Sequence, residues 1–358
     1  MNRNTGMNAG QIIGTMNGRQ VVGLDIAKHV FQLHTVDMDT GEVINVQLKR
    51  VKVLEHFVNK PACLIAIEAC GGAHHWAREL RALGHTVRLL HAKVVRPFVS
   101  GNKTDATDAR AIWLAVQQAG VKCVGIKSTA QQATLTLHRQ RELLMKMRTM
   151  QVNALRGLLY EFGATFAKGD KALLGAIEQT LLDLGDQLPQ MVADSLREQV
   201  ARIKALSVDM AKVERRLAQQ LKAEPDMQRV AQIPGVGLLT ATAAIATMGE
   251  ASAFKSGREF CAWLGLVPTQ RGTGGKVRLG SISKRGDTYL RTLLLHGARS
   301  VLCHTKQPSA WLEAIKSRRP AGVVIVAQAA KMARTIWAVT AHQQDYQRGH
   351  QSLRPQAA

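Results

Sequence analysis

Acidic residues are scarce in this sequence. Its 358 residues contain 48 Lys and Arg against 26 Asp and Glu, which gives a formal net charge of +22. A field this basic favours a polyanionic partner, and DNA or RNA is the first expectation. From charge alone, the alternative is a ribosome-bound protein or a merely basic soluble protein.

Cysteine is also sparse, and its spacing forms no motif. No C-x-x-C pair occurs, which excludes a zinc ribbon or a redox centre of that type. An odd count without a disulfide framework suits a reducing cytoplasm. Three of the five thiols lie in apolar runs where burial is predicted: Cys63, Cys70 and Cys123.

Long hydrophobic runs are absent as well. No segment offers about 18 uninterrupted apolar residues, so no membrane span is predicted. Residues 1–20 are polar and rich in Gly and Asn, which is unlike a signal peptide and predicts a flexible lead-in. The sequence therefore predicts a cytoplasmic protein without a membrane partner.

Short apolar runs with the spacing of an α/β domain follow this lead-in. Three strands predicted at 21–27, 29–36 and 43–48 form an antiparallel meander. A helix at 54–59, a strand at 63–68, a helix at 74–83, a strand at 86–90, a helix at 104–118 and a last strand at 121–126 complete the series. This order, βββαβαβα, is the one that a ribonuclease-H-like fold requires, and we assign it to residues 21–127.

Helical patterns dominate the rest of the chain. One long helix is predicted at about 129–162, and apolar residues recur at threes and fours from Leu196 to Leu221. Two such helices predict either an antiparallel coiled coil or a plain helical bundle over residues 128–224. Residues 225–341 predict a mainly α-helical C-terminal domain, and the polar residues 342–358 predict a disordered tail.

Four acidic residues stand out in the α/β part. Asp25 lies inside one apolar strand and Glu68 ends another, where an unpaired buried carboxylate costs several kcal/mol unless it has a partner or a metal. Asp105 and Asp108 lie at i and i+3 near a helix start and project on one face. Taken alone, that helical pair is as well explained by helix capping and the helix dipole.

The four together predict a metal site. Mg²⁺ prefers hard carboxylate oxygens and keeps several waters, so three or four acids suffice to hold it. Two such ions can activate an attacking oxygen and stabilise a leaving one at a phosphodiester. We therefore predict Mg²⁺ ligands at Asp25, Glu68, Asp105 and Asp108.

Basic residues cluster in the C-terminal part, where they look more like phosphate contacts than a mixed surface. The run from Arg271 to Arg299 contains only one acid, Asp287. The predicted nucleic-acid contacts are Lys103, Arg271, Lys276, Arg278, Lys284, Arg285 and Arg291.

Five segments resemble a known family in the expected order. They read GLDIAKHVFQLHTVD, IEACGGAHHWARELRALGHTVRLL, VSGNKTDATDARAI, IPGVGLLTATAAIATMGEASAFKSGREFCAWLGLVPTQ and GGKVRLGSISKRGDTYLRTLLLHGA. The chain resembles the insertion-sequence 110 family of transposases, most closely its 1111 subgroup, over about residues 21–302. The resemblance implies a RuvC-like N-terminal domain, a coiled-coil segment and a C-terminal transposase domain.

The same resemblance implies the site residues and the partners. It implies Asp25, Glu68, Asp105 and Asp108 as the DEDD metal ligands, and a structured RNA from the element's noncoding end that pairs with donor and target DNA. The family has a catalytic Ser before a Gly in the block after GLVP, where this sequence has Thr273. Thr273 is therefore our candidate nucleophile, with Ser281 and Ser283 as rivals.

The sequence thus predicts a bacterial, nucleoid-associated transposase or recombinase that cuts and rejoins DNA as a dimer or tetramer. A Holliday-junction resolvase would share the fold and the acids but use water as the nucleophile, and the extra C-terminal domain argues against it. A non-catalytic nucleic-acid-binding protein is the third hypothesis, and the presence of all four acids argues against that.

Overall fold

The structure, a computed structural model, describes residues 15–16, 19–37, 39–102 and 104–350. The chain divides into two compact units, Met1–Ser128 and Thr129–Ala358. Most of the predicted lead-in and Lys103 lie outside the described residues.

The first unit is a mixed α/β domain. Its elements are β1 (Thr15–Met16), β2 (Arg19–Ile26), β3 (Val30–Val36), β4 (Val43–Lys49), α1 (Val53–Val58), β5 (Leu64–Glu68), α2 (Ala73–Ala82), β6 (Thr86–Leu90), α3 (Ala92–Val95), α4 (Asp105–Val116) and β7 (Cys123–Val124). The predicted succession of strands and helices is confirmed, with α3 and β1 as additions.

The sheet has the order β4-β3-β2-β5-β6-β7, and β1 pairs with β2 outside this path. Strands β2, β3 and β4 form the predicted antiparallel meander. Strands β5 and β6 run parallel to β2, and β7 closes the edge in the antiparallel sense. This mixed sheet is consistent with the predicted ribonuclease-H-like fold.

Both faces of the sheet are covered, because its central strands are apolar on both sides. On one face, Leu24 and Ile67 pack with α1 and α2 in a core that includes Phe57 and Trp76. On the other face, the alternate residues of the same strands pack against α4. The residues that end β2 and β5 on this second face are Asp25 and Glu68.

The burial predicted for the cysteines is right only for Cys63. Cys70 follows the end of β5 in a turn, and Cys123 lies on the edge strand β7, so both residues are exposed. An apolar sequence neighbourhood does not bury a side chain at a strand end or at a sheet edge.

The second unit is mainly helical. Its elements are α5 (Thr129–Tyr160), α6 (Asp170–Leu184), α7 (Gln190–Ala223), α8 (Pro225–Ala231), α9 (Leu238–Met248), α10 (Gly257–Trp263), β8 (Pro268–Thr273), β9 (Lys276–Ile282), α11 (Thr288–His304), α12 (Ala310–Lys316) and α13 (Ala321–Ala341).

Helices α5 and α7 run antiparallel. Arg141 pairs with Glu214, and nearer the other end the Gln199 side chain donates to the carbonyl of Gln151. Helix α6, absent from the sequence prediction, packs its Ile177 into the core that α5 and α7 share. The structure thus contains two long antiparallel helices with a third helix packed against them.

A second core in this unit is built on α9, α10, α11 and α13. Helix α13 is long and apolar enough to cross a membrane by composition, yet much of it is buried in this core, including Met332 and Ile336. Beyond α13, Tyr346 packs against the same core and Gln343 accepts a hydrogen bond from Arg229. The predicted tail from residue 342 therefore begins with packed residues, and residues 351–358 lie outside the described chain.

One buried polar network connects α5 with α9 and α11. His138 is 1% exposed, with Nδ1 at 3.0 Å from the Tyr289 hydroxyl and Nε2 at 2.9 Å from Thr242 Oγ1. Because Thr242 donates its own proton to the Leu238 carbonyl, it accepts from His138 Nε2–H, and Nδ1 accepts from Tyr289. Both ring nitrogens of the neutral imidazole therefore have a hydrogen-bond partner.

Candidate active site

Two of the four acids lie at the ends of neighbouring parallel strands. Leu24 of β2 is in register with Ile67 of β5, and Asp25 and Glu68 are the next residues on each strand. Side chains alternate between the two faces of a sheet. Both carboxylates therefore point away from the core that contains Leu24 and Ile67 and towards the face covered by α4.

Helix α4 lies directly on β2 because residue 23 is glycine. A Cβ at Gly23 would lie less than 3.0 Å from the Ala109 carbonyl oxygen and 2.8 Å from the backbone nitrogen of Trp113. The Trp113 indole also donates to the Val21 carbonyl at 3.1 Å. This close approach positions the first turn of α4 near the strand end that carries Asp25.

The first turn of α4 is fixed by a capping box. Thr104 Oγ1 accepts from the Thr107 backbone at 3.2 Å, and Thr107 Oγ1 accepts from the Thr104 backbone at 2.8 Å. Asp105 and Asp108 occupy this turn, Asp105 exposed and Asp108 partly buried. The cap is supplied by the threonines, so neither aspartate is needed to begin the helix.

The charges of Asp108, Asp105 and Glu68 all act on Asp25, so the four carboxylates lie near one another. The pKa of Asp25 is raised from 3.8 to about 6, and burial is the largest cause. The other causes that raise it are the charges of Asp108, Asp105 and Glu68. In the described part of the chain, none of these four acids forms a salt bridge that would offset the repulsion.

The four carboxylates lie in one region, but their oxygen atoms do not converge on a single point. Within residues 19–37, 39–102 and 104–350, no three His, Cys, Asp or Glu side chains converge closely enough to hold a metal ion. The assignment of Asp25, Glu68, Asp105 and Asp108 as a ligand set therefore stays a prediction.

Cys70 also lies near these carboxylates, a neighbour that no sequence motif predicts. The pKa of its thiol is raised by burial first, and then by the charges of Glu68 and Asp25. A thiol whose pKa is raised is a poor nucleophile at neutral pH, so Cys70 adds a neutral polar group to the region.

Strands β8 and β9 form a hairpin inside the domain predicted to be mainly α-helical. Gly274 and Gly275 connect the strands with φ angles of +56° and +77°, as a two-residue type I′ turn requires. The turn geometry, rather than a bound ligand, is sufficient to account for both glycines.

Thr273 lies on the basic face of this hairpin. It pairs with Lys276, and two residues further from the turn Arg271 pairs with Arg278. Paired residues and their i±2 neighbours point to the same side of a ribbon, so the Thr273 hydroxyl shares that side with all three cations. Like charges directly opposite each other are destabilising, and the Arg271–Arg278 pair therefore favours an anionic partner.

Two family models match this chain, and each covers one of the two regions described above. A DEDD transposase model of the IS110 type matches residues 22–163, and the model described as Transposase IS116/IS110/IS902 family matches residues 227–312. The "Probable family 20 transposase" of Pseudomonas aeruginosa is 45% identical over 333 residues, covering 92% of this chain and 98% of that protein. The transposase for insertion sequence element IS1111A of Coxiella burnetii is 37% identical over 344 residues, covering 94% of this chain and 93% of that protein.

The chain belongs to the IS116/IS110/IS902 family of transposases. It is therefore an enzyme of DNA transposition, which cuts and rejoins DNA. A third relative, the transposase for insertion sequence element IS1328 of Yersinia enterocolitica, is 33% identical over 326 residues, covering 89% of this chain and 96% of that protein.

The predicted nucleic-acid contacts of the transposase separate into two groups. The exposed ones are Arg271, Lys276, Arg278, Lys284 and Arg285. Arg291 is different, since it is 7% exposed and its guanidinium donates to the carbonyls of Leu264 and Arg285. The prediction that Arg291 contacts phosphate is corrected, because a buried guanidinium bound to backbone carbonyls does not reach a DNA strand.

Proposed function

We propose that this transposase cuts DNA with Mg²⁺ held by Asp25, Glu68, Asp105 and Asp108. The observation that carries the proposal is the raised pKa of Asp25, which three neighbouring carboxylates and burial produce together. A half-buried group of like charges is costly without a counter-charge, and its donors are all the hard oxygens that Mg²⁺ prefers. When bound, the ion supplies Lewis-acid stabilisation at a phosphodiester.

The residues of this chain have distinct parts in that proposal. Asp25 and Glu68 are held on rigid strand ends, whereas Asp105 and Asp108 depend on how α4 lies on β2. Gly23 and the Trp113–Val21 hydrogen bond set that position. A metal site held on packed elements needs little reorganisation when substrate binds.

We propose Thr273 as the nucleophile of strand cleavage. Its hydroxyl oxygen forms the bond to phosphorus, one phosphodiester P–O bond breaks, and the departing deoxyribose oxygen takes up the proton. Support comes from the hairpin, where Arg271, Lys276 and Arg278 share the face of Thr273 and can neutralise the charge that develops. In the alternative, Thr273 only donates a hydrogen bond to phosphate and Ser281 or Ser283 attacks.

We propose further that an RNA of the element directs the enzyme to DNA, as the resemblance to the 1111 subgroup implies. The net charge of +22 and the exposed cations of β8 and β9 support binding of a second polyanion. Purified protein should carry RNA, and nuclease treatment should leave only nonspecific DNA affinity. Sequence-specific binding by RNA-free protein would contradict guidance.

We also propose that α5 and α7 form a coiled coil. We propose that the enzyme assembles as a homo-oligomer and that it is associated with the bacterial nucleoid. The outer side of α5 carries Leu143, Met147 and Met150, which are 57%, 44% and 62% exposed. Their i, i+4, i+7 spacing places them in one stripe, which suits a second copy of the chain. Light scattering of Met147→Lys against wild type tests this surface, since an unchanged mass would contradict it.

Strand cleavage with the RNA-loaded enzyme tests the proposed function. Asp108→Asn should abolish Mg²⁺-dependent cleavage while DNA and RNA binding persist, because binding depends on cations elsewhere. Asp209→Asn, which alters a half-exposed acid of α7 paired with Lys212, is the matched control and should cleave normally. Cleavage by Asp108→Asn at the wild-type rate would overturn the metal assignment.

A further inference from the structure

The segment from Ser283 to Asp287 forms a tight turn between β9 and α11, packed backbone to backbone on the end of α10. A Cβ at Gly286 would lie less than 3.0 Å from the Trp263 carbonyl oxygen, and one at Gly265 would lie less than 3.0 Å from the Arg285 carbonyl oxygen. The Lys284 backbone nitrogen donates to the Gly265 carbonyl at 3.1 Å. These contacts fix the path of the turn.

Arg291 holds the turn from inside the fold. One guanidinium nitrogen donates at 2.9 Å to the carbonyls of both Leu264 and Arg285, and the other donates at 3.0 Å to Thr288 Oγ1. The same side chain therefore connects the end of α10, the turn and the first turn of α11. No other side chain within residues 104–350 bridges these three elements by hydrogen bonds.

The turn itself presents groups that suit an anion. Lys284 adopts a left-handed conformation with φ of +51°, which a non-glycine residue keeps only where its surroundings impose it. The side chains of Lys284 and Arg285 are exposed. The backbone of Arg285 lies against Gly265, so the groups that this segment exposes to an anion are the two cationic side chains.

We infer that residues 283–286 form a preformed binding site for the DNA sugar–phosphate backbone and that Arg291 is its positioning residue. This inference rests on the proposed contacts of Lys284 and Arg285 with nucleic acid. Arg291 does not touch the phosphate. It holds the backbone that carries the two exposed cations, so that little conformational entropy is lost on binding.

Salt-dependent binding of the full-length protein to a duplex of about 40 base pairs tests this inference, because each phosphate contact contributes about 0.9 to the slope of log affinity against log salt. The double variant Lys284→Gln, Arg285→Gln should make this negative slope shallower by about two. Arg291→Lys keeps the charge but cannot make the same three hydrogen bonds. It should therefore make the slope shallower by about one to two. Added to the double variant, Arg291→Lys should change the slope no further.

Arg229→Lys is the matched control. Arg229 also joins two segments of this unit, through Asp226 and Gln343, but it lies outside the turn. It should lower the melting temperature without altering the slope. An Arg291→Lys protein that melts lower with the wild-type slope has lost only stability, and that result would overturn the positioning role.

The two proposals fail separately. If the Lys284→Gln, Arg285→Gln variant keeps the wild-type slope, residues 283–286 do not bind phosphate. The proposal that the acids cleave DNA is not affected by that result. Loss of Mg²⁺-dependent cleavage in Asp108→Asn is measured on a protein whose turn is intact, so it reports on the acids alone.

Discussion

Gly23 and Ala109 are so close that the backbone carbonyl of Ala109 occupies the space where a side chain at residue 23 would begin. Strand β2 carries Asp25 two residues beyond Gly23, and α4 carries Asp108 one residue before Ala109. The missing side chain of one residue therefore sets the separation of two proposed metal ligands.

Gly23→Ala should displace α4 from β2. The added methyl cannot be accommodated without a backbone shift, and overpacking of this kind costs about 1–3 kcal/mol. We expect a lower melting temperature and a loss of cleavage larger than the loss of stability explains, because Asp105 and Asp108 move with the helix. Gly125→Ala is the control, since nothing lies within 4 Å of a Cβ there. Normal cleavage by Gly23→Ala would show that the position of α4 is not critical.

Asp25→Asn should stabilise the protein in EDTA at pH 8. The substitution keeps the shape of the side chain and removes one charge from among three others, and the raised pKa corresponds to about 2 kcal/mol after a discount for partial exposure. The same variant should no longer gain stability from Mg²⁺ and should not cleave DNA. Thermal unfolding with and without Mg²⁺ measures both effects. A variant less stable than wild type in EDTA would show that Asp25 is not repelled by its neighbours.

Thr273→Ala should abolish a covalent protein–DNA adduct, and Thr273→Ser should keep it or form it faster. Serine lacks the methyl that restricts χ1 and crowds the hydroxyl. The adduct can be trapped on a nicked suicide substrate and mapped by mass spectrometry. Ser281→Ala and Ser283→Ala serve as controls that should retain the adduct. A link mapped to Ser281 or Ser283 would move the nucleophile to β9 or to the turn that follows it.

The His138 network should make the second unit sensitive to acid. Burial, followed by the charge of Arg141, lowers the pKa of His138 from 6.5 to about 4. The unfolded chain takes up a proton below pH 6.5 and the folded chain does not, so stability is full above that pH and falls as the pH drops towards 4. The loss should reach about 3 kcal/mol. His138→Gln should flatten this dependence in urea unfolding, and the exposed His75→Gln should leave it unchanged.

The sheet and its acids could be predicted because their signals are local. Short apolar runs give the strands, and an acid at the end of such a run is conspicuous in any window of a few residues. The parallel pairing of β2 with β5, which brings Asp25 near Glu68, is not a local signal, because β3, β4 and α1 lie between these strands in the sequence.

Other features could not be predicted because they depend on distant backbone. Nothing near Gly23 announces that Ala109 will lie against it. Arg291 resembles its basic neighbours in sequence, and only the carbonyls of Leu264 and Arg285 distinguish it. The β8–β9 hairpin was missed because its strands are short, polar and rich in glycine, which gives a weak alternation pattern.

The His138 network also has a consequence for synthesis of the chain. Its partners Thr242 and Tyr289 follow His138 by 104 and 151 residues, so α5 leaves the ribosome long before its packing surface exists. At elongation rates of roughly 5–20 residues per second, that interval lasts about 5–30 seconds, during which the first unit can already fold. A product truncated after α7 would keep all four acids and a complete sheet, but it would leave the inner side of α5 uncovered and ready to aggregate or to be degraded. Premature termination within the second unit should therefore yield little stable protein, and a folded first unit should be recovered only from truncations placed near Ser128.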